Sequence, residues 1–260
     1  MAWETLLLEK KGNIGIITLN RPDKMNTMTP LFIKEYNEVL DKVSLDPEVR
    51  VVILQAKGKA FCAGGDFELL KALDTAPKAR FTIREIGKAI AKMYHMPKPI
   101  IAAVQGAAAG GGANLALSCD FVIASEKARF GQAFVNIGLV PDTGGMWSLT
   151  RAVGVMRAKE LAMTGRLIGA KEAESYGMVL KVVPVDELEQ EVMAFAQQLA
   201  AQAPIAVGYI KQIANRISDI TQETYADLEA DLMGIALQTE DHKEGLAAFL
   251  EKRKPVFKGK

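Results

Sequence analysis

Phe61-Cys62-Ala63-Gly64-Gly65-Asp66 and, about 45 residues further on, Gly106-Ala107-Ala108-Ala109-Gly110-Gly111-Gly112 decide how this chain is read. Each follows an apolar run, 50–56 and 100–104, with the character of a buried strand, and each leads toward a helix. A glycine placed after a strand lets the main chain turn sharply and leaves its amide uncovered by any Cβ. An oxygen that acquires negative charge can then approach that amide closely. Two such turns in one chain can aim two N–H groups at one spot. A single glycine cluster would suit a plain connection or a phosphate cradle equally well. The flanking Asn20-Arg21-Pro22 and Ile137-Gly138-Leu139-Val140-Pro141-Asp142-Thr143-Gly144-Gly145 narrow the choice.

Outward from the two loops the pattern alternates strand and helix. Residues 5–9 and 14–19 flank Lys11-Gly12-Asn13, a hairpin signal. Thr29 suits the cap of a helix that starts at Pro30, with Leu31, Tyr36, Val39, Leu40 and Val43 on one face. Helices are predicted over 67–73 and 78–94, separated by a charged stretch at 74–78 that fits a solvated loop or a lid. The second glycine cluster is expected to open a helix running to Leu117, followed by a strand at 121–124. Strands separated by helices imply right-handed crossovers and a mainly parallel sheet, hence an α/β fold. From Thr143 onward the reading is helical over 146–153, 155–163, 170–176, 186–202, 205–217, 222–237 and 241–252, with one strand at 178–183. Leu188, Val192, Phe195 and Leu199, and then Leu228, Leu232 and Ile235, recur at a spacing suited to packing, including packing on another subunit.

Composition sets outer bounds. The chain has 260 residues, 49% hydrophobic and 24% charged, enough to bury one large core with an appendage. Thirty-two basic against 31 acidic side chains leave a net charge of +1, which gives no global field for nucleic acid or an anionic membrane. Cys62 and Cys119 are the only cysteines and lie outside any ligand-like spacing, so a reducing cytoplasm is expected, without a disulfide framework or a metal. Residues 1–11 lack the form of a signal peptide, and the apolar run 99–117 is broken by Gln105, Asn114 and its glycines, so no membrane span is expected.

The ordered set Asn20-Arg21-Pro22, Phe61 to Asp66, Lys98 to Gly106, Gly110-Gly111-Gly112, Cys119-Asp120, Phe130-Gly131, Gly138-Leu139-Val140-Pro141-Asp142 and the tail Glu244 to Arg253 resembles the enoyl-CoA hydratase/isomerase (crotonase) family over nearly the whole chain. The resemblance implies a crotonase-like spiral of ββα units with a C-terminal helical subdomain. It divides the chain into a core at 1–195 and a helical oligomerisation region at 196–260, assembled as a homotrimer or a hexamer made of two trimers. It also implies an acyl-CoA thioester substrate and no cofactor, coenzyme A being part of the substrate. One scaffold of this family carries many reactions, so the reaction type has to come from the site.

Carried over by position, the family's two oxyanion amides fall on Gly65 and Gly111. Each such donor, aimed at a thioester enolate oxygen, is worth about 2.7–4 kcal/mol of barrier. The 21–26 loop, with Arg21, Lys24 and Met25, and the residues Ala63, Asp66 and Phe67 match positions that hold coenzyme A or the start of the acyl group. Asp66 also suits a helix N-cap, and Arg21 and Lys24 also suit a solvated loop. Asn114 and Phe134 occupy the positions where hydratases of the family carry paired glutamates. An amide does not take up a proton at neutral pH and Phe cannot hydrogen-bond, so two-carboxylate water addition is disfavoured. Asn114 remains a candidate for orienting a substrate carbonyl or a water, and Phe134 and Trp147 for lining an acyl pocket.

Asp142 is then the acid–base candidate. Asp142-Thr143-Gly144-Gly145-Met146-Trp147 is particularly like the 1,2-epoxyphenylacetyl-CoA isomerase branch of the family. The same aspartate also suits a turn or a cap before Thr-Gly-Gly. The favoured expectation is an acyl-CoA isomerase that shifts a double bond, or isomerises a ring, beside the thioester. The alternatives are a hydratase of an enoyl-CoA or of a conjugated or cyclic dienoyl-CoA, a hydrolase or dehalogenase with Asp142 as nucleophile, and a non-catalytic CoA-binding protein.

Overall fold

Residues 3–260 are described by a computed structural model. Strands β1 (Leu6–Lys11) and β2 (Ile14–Leu19) form the expected antiparallel hairpin. β3 (Val51–Ala56), β5 (Ile100–Val104), β7 (Phe121–Ser125) and β10 (Lys181–Val183) extend it in parallel, giving a six-stranded sheet in the order β1-β2-β3-β5-β7-β10. A second, four-stranded sheet is made of β4 (Ala60–Cys62), β6 (Ala107–Ala109), β8 (Arg129–Gly131) and β9 (Leu167–Gly169). The chain visits the two sheets in turn, β3 to β4, β5 to β6, β7 to β8, with helix after each visit. That alternation is the spiral of ββα units the resemblance implied.

The helices are α1 (Pro30–Leu45), α2 (Phe67–Ala72), α3 (Ala76–His95), α4 (Gly111–Leu117), α5 (Gly145–Thr164), α6 (Ala170–Ser175), α7 (Leu188–Ala200), α8 (Pro204–Arg216), α9 (Gln222–Ala236) and α10 (Glu240–Leu250). The Thr29 hydroxyl accepts the Phe32 N–H at 3.1 Å and caps α1 as its sequence suggests. Gly154, at φ 75° and ψ 164°, breaks α5 into the two segments expected on either side of it.

Three expectations are corrected. The stretch after Gly106 is strand β6 before it is helix: Ala107–Ala109 pair with β4 on one side and β8 on the other, so α4 begins only at Gly111. Strand structure in the last third is not confined to 178–183, since β9 closes the small sheet antiparallel to β8 and β10 is only Lys181–Val183. The charged stretch at 74–78 is cut short, because α3 already starts at Ala76 and Lys78 pairs with Asp74 at 2.8 Å.

Both faces of the large sheet are covered, which is why its strands read as continuous apolar runs. Val52 and Leu54 face α1, α3, α4 and the small sheet, while Val51 and Ile53 face α7 through Leu188, Val192 and Ala196. α8 is tied to this body by an ion pair: Lys211 Nζ, 8% exposed as a residue, donates to Asp120 at 2.6 Å and to the carbonyls of Met93 and Lys98. Lys211→Met strands the Asp120 carboxylate without its counter-charge and is expected to cost about 3 kcal/mol. A shift of the urea midpoint measures it; an unchanged midpoint means α8 is held otherwise.

Candidate active site

The site begins where the two glycine loops meet. Met28 N–H donates to the Gly64 carbonyl at 2.8 Å and Asp66 N–H to the Met28 carbonyl at 2.9 Å, zipping residue 28 against residues 64–66. That pairing consumes the Gly64 carbonyl and the Asp66 amide and leaves the Gly65 amide out of it. Gly111 is the first residue of α4, where an N–H has no intrahelical partner and the helix dipole favours negative charge.

Two close approaches bring those amides to one place. A Cβ on Gly64, which sits at φ +92°, would lie 3.0 Å from the Ala109 carbonyl and 3.3 Å from the Gly111 nitrogen. A Cβ on Gly112 would lie 2.0 Å from the Cys62 carbonyl oxygen, a distance no side chain tolerates. The pairing of β4 with β6 thus delivers both loops to the same end of the small sheet.

Asp142 arrives from a third segment. Its Oδ1 is 3.6 Å from where a Gly111 Cβ would be, beside the Thr143 hydroxyl at 3.2 Å and the Met28 sulfur at 3.6 Å. Burial pushes the Asp142 carboxyl above its ordinary value, against the opposing pull of the Thr143 hydroxyl and its own main-chain amide. Segments 109–117 and 130–141, which frame the spot, contain no charged side chain and no histidine. Cys62, close by in β4, offers no nucleophile: burial raises its thiol to about 12, and it donates to the Asn26 carbonyl.

Two main-chain amides free of these pairings, with a half-buried carboxylate beside Gly111, can stabilise an oxyanion and move a proton beside it. The enoyl-CoA hydratase/isomerase family model matches residues 9–260. The chain belongs to this family. It is 40% identical to a probable enoyl-CoA hydratase of Rhizobium meliloti, over 99% of each chain. It is 37% identical to the 1,2-epoxyphenylacetyl-CoA isomerase of Escherichia coli K12, again over 99% of each. The crystal structure of an enoyl-CoA hydratase from Bacillus anthracis superposes with a TM-score of 0.95 at 36% identity, covering 99% of this chain and 100% of that one. The crotonase-like fold is thereby shown.

Ala63 lies on the loop interface, its N–H donating to the Met25 carbonyl at 3.0 Å, and the Phe134 ring is 3.7 Å from the Cβ position of Gly110. Lys24, Met25 and Phe67 are exposed around the 21–28 and 65–67 loops. Arg21 spends Nη1 on the Thr27 carbonyl at 2.7 Å and lies 3.7 Å from Asp66. Trp147 is stacked under Arg151 at 4.7 Å. It lines a cleft of about 760 Å³ with Ile90, Tyr94 and Ser148.

Two assignments are corrected. Asp66 is a helix cap: its carboxylate accepts from the Thr27 hydroxyl and the Glu68 amide, which together with Arg21 hold it below its ordinary value. Asn114 does not reach the substrate side. It is fully buried, its Nδ2 donating to the Asp142 carbonyl at 2.8 Å and its Oδ1 accepting from Gln132 at 2.6 Å.

Sequence reasoning missed Thr143, Gln132 and Met28. A hydroxyl directly after the acid–base candidate was a usable signal for Thr143. Nothing local marks Gln132, since its partner is 18 positions away.

Proposed function

We propose that the protein is an acyl-CoA double-bond isomerase in which Asp142 carries one proton between two carbons while the amides of Gly65 and Gly111 hold the thioester oxygen. The observation that supports it is the single carboxylate there: Asp142 Oδ1 lies 3.6 Å from the Cβ position of Gly111, and no charged group lies on segments 109–117 and 130–141 around it. In a β,γ-unsaturated thioester the α and γ carbons are about 2.5 Å apart. Asp142 removes the α proton, and the electron pair passes into the carbonyl to give a dienolate. The same carboxyl then returns the proton to the γ carbon as the enolate collapses, leaving the double bond at α,β. Paired donors stabilise the dienolate oxygen, and coenzyme A enters as part of the substrate.

A second reading, hydration of an enoyl-CoA, is favoured by the name of the Rhizobium meliloti relative. One experiment separates the two: 3-enoyl-CoA and 2-enoyl-CoA thioesters are incubated with the enzyme and analysed by mass. Conversion of the first to the second at constant mass supports the isomerase; gain of one water on the 2-enoyl substrate overturns it.

We also propose assembly as a homotrimer or a pair of trimers through the C-terminal helices. No side chain of α9 is fully buried within the chain, and Met233, Ile235, Leu246, Phe249 and Leu250 are exposed. Light scattering is expected to give three or six chain masses, and a monomer at micromolar concentration removes this proposal.

A further inference from the structure

We infer that Thr143 and Asn114 are positioning residues that clamp Asp142 by side chain and by main chain, so that Oδ2 is the oxygen that carries the proton. The inference rests on the proton-carrier reading of Asp142 above.

The first hold is on the carboxylate. Thr143 Oγ1 donates to Asp142 Oδ1 at 2.8 Å, and the same hydroxyl lies 3.2 Å from the Cβ position of Gly111. An oxygen already accepting a hydrogen bond is the less basic of the pair, so the proton goes to Oδ2. The second hold is on the backbone. The Asp142 carbonyl accepts both the Gly145 amide and Asn114 Nδ2, each at 2.8 Å. Asn114 is oriented in turn by the Gln132 amide on its Oδ1, and its own carbonyl accepts the Ser118 hydroxyl at 2.7 Å. The fit is close, since a Cβ on Gly145 would lie within 3 Å of three side-chain atoms of Asn114.

The conformation shows why two holds are needed. Thr143 is a β-branched residue at φ +52°, buried, and followed by Gly144 at φ +70°. A β-branched side chain rarely adopts the left-handed region, and such strain persists only where the surroundings over-determine it. Relaxing Thr143 would swing the Asp142 carboxylate away from Gly111.

The groups facing Asp142 make the clamp readable by pH. α4, segment 130–141 and the first turn of α5 carry no charged residue. On the 64–66 loop the charge is Asp66, which faces Arg21 of the 21–28 loop at 3.7 Å. From α3 the neighbour at Gly144 is Ile90. The position of the Asp142 titration is thus set by burial, which raises it, and by hydrogen bonds, chiefly that of Thr143, which lower it.

The test is the pH profile of kcat on a 3-enoyl-CoA thioester for the full-length enzyme, Thr143→Val, Thr143→Ser and Gln132→Leu, with Asp142→Asn as control. Thr143→Val is expected to move the acid limb upward by about one pH unit and to lower kcat about tenfold with KM unchanged, while Thr143→Ser keeps the limb in place. Gln132→Leu, remote from the Thr143 backbone, is expected to lower kcat severalfold at constant KM. A folded Thr143→Val with an unmoved limb overturns the clamp. Should that variant not fold, unchanged kcat in Gln132→Leu overturns it instead. Full turnover by Asp142→Asn is a different failure, that of the proton-carrier reading itself.

Discussion

Asp142→Asn is expected to lower kcat on a 3-enoyl-CoA thioester by about 10²–10⁴-fold, the span general acid–base catalysis contributes, with little change in melting temperature. The amide keeps the size of the carboxylate and its Oδ1 can still accept the Thr143 hydroxyl at 2.8 Å, so the turn is retained. What is lost is proton affinity, and no neighbouring group on 109–117 or 130–141 can supply it. KM should hold, because the amides of Gly65 and Gly111 remain. In the wild type the proton-accepting form is the carboxylate, so turnover falls as pH drops through the Asp142 pKa. Burial has raised that pKa, which places the acid limb above the ordinary aspartate range. Steady-state kinetics across pH check both parts; turnover within threefold of wild type would remove Asp142 from the chemistry.

Gly112→Ala should yield no stably folded enzyme, a loss of about 5 kcal/mol or more. The new methyl would meet the Cys62 carbonyl oxygen at 2.0 Å and its carbonyl carbon at 2.6 Å, both part of the β4 backbone rather than the yielding end of a side chain. The only relief is to part β4 from the start of α4, and that separates the Gly65 amide from the Gly111 amide. Expression as soluble protein followed by circular dichroism and urea titration reads the result. A contrast is available at Gly138, where a Cβ meets nothing within 4 Å but φ is +72°; there Ala should cost only about 1 kcal/mol for its left-handed backbone. If Gly112→Ala were as stable as Gly138→Ala, the contact between the loops would not be what joins the two halves of the site.

Much of this arrangement was legible in the sequence. Apolar runs long enough to be strands, the Thr29 cap, the Lys11-Gly12-Asn13 hairpin and the break at Gly154 are local signals, and local physics places them. The ordered motifs carried the family and the positions of Gly65, Gly111 and Asp142. The small sheet was not legible, because its strands are three residues long and Ala107–Ala109 have no periodicity that distinguishes strand from the first turn of a helix. Their state is decided by β4 and β8 on either side, whose register partners lie 46 or 47 and 22 positions away.

Asn114 shows the same division at the level of one side chain. Its sequence position, just after the second glycine cluster, suggested contact with substrate. Burial, the Gln132 amide and the turn at Asp142 instead direct both ends of its side chain inward. By itself the sequence determined which residues carry proton affinity and which backbone positions lack a Cβ, since both are properties of single residues. The tertiary structure decided which glycine loops meet and which oxygen of Asp142 accepts the Thr143 hydroxyl. Those are distances between segments far apart in the chain, and a distance of that kind exists only once β4, β6 and the Asp142 turn have packed together.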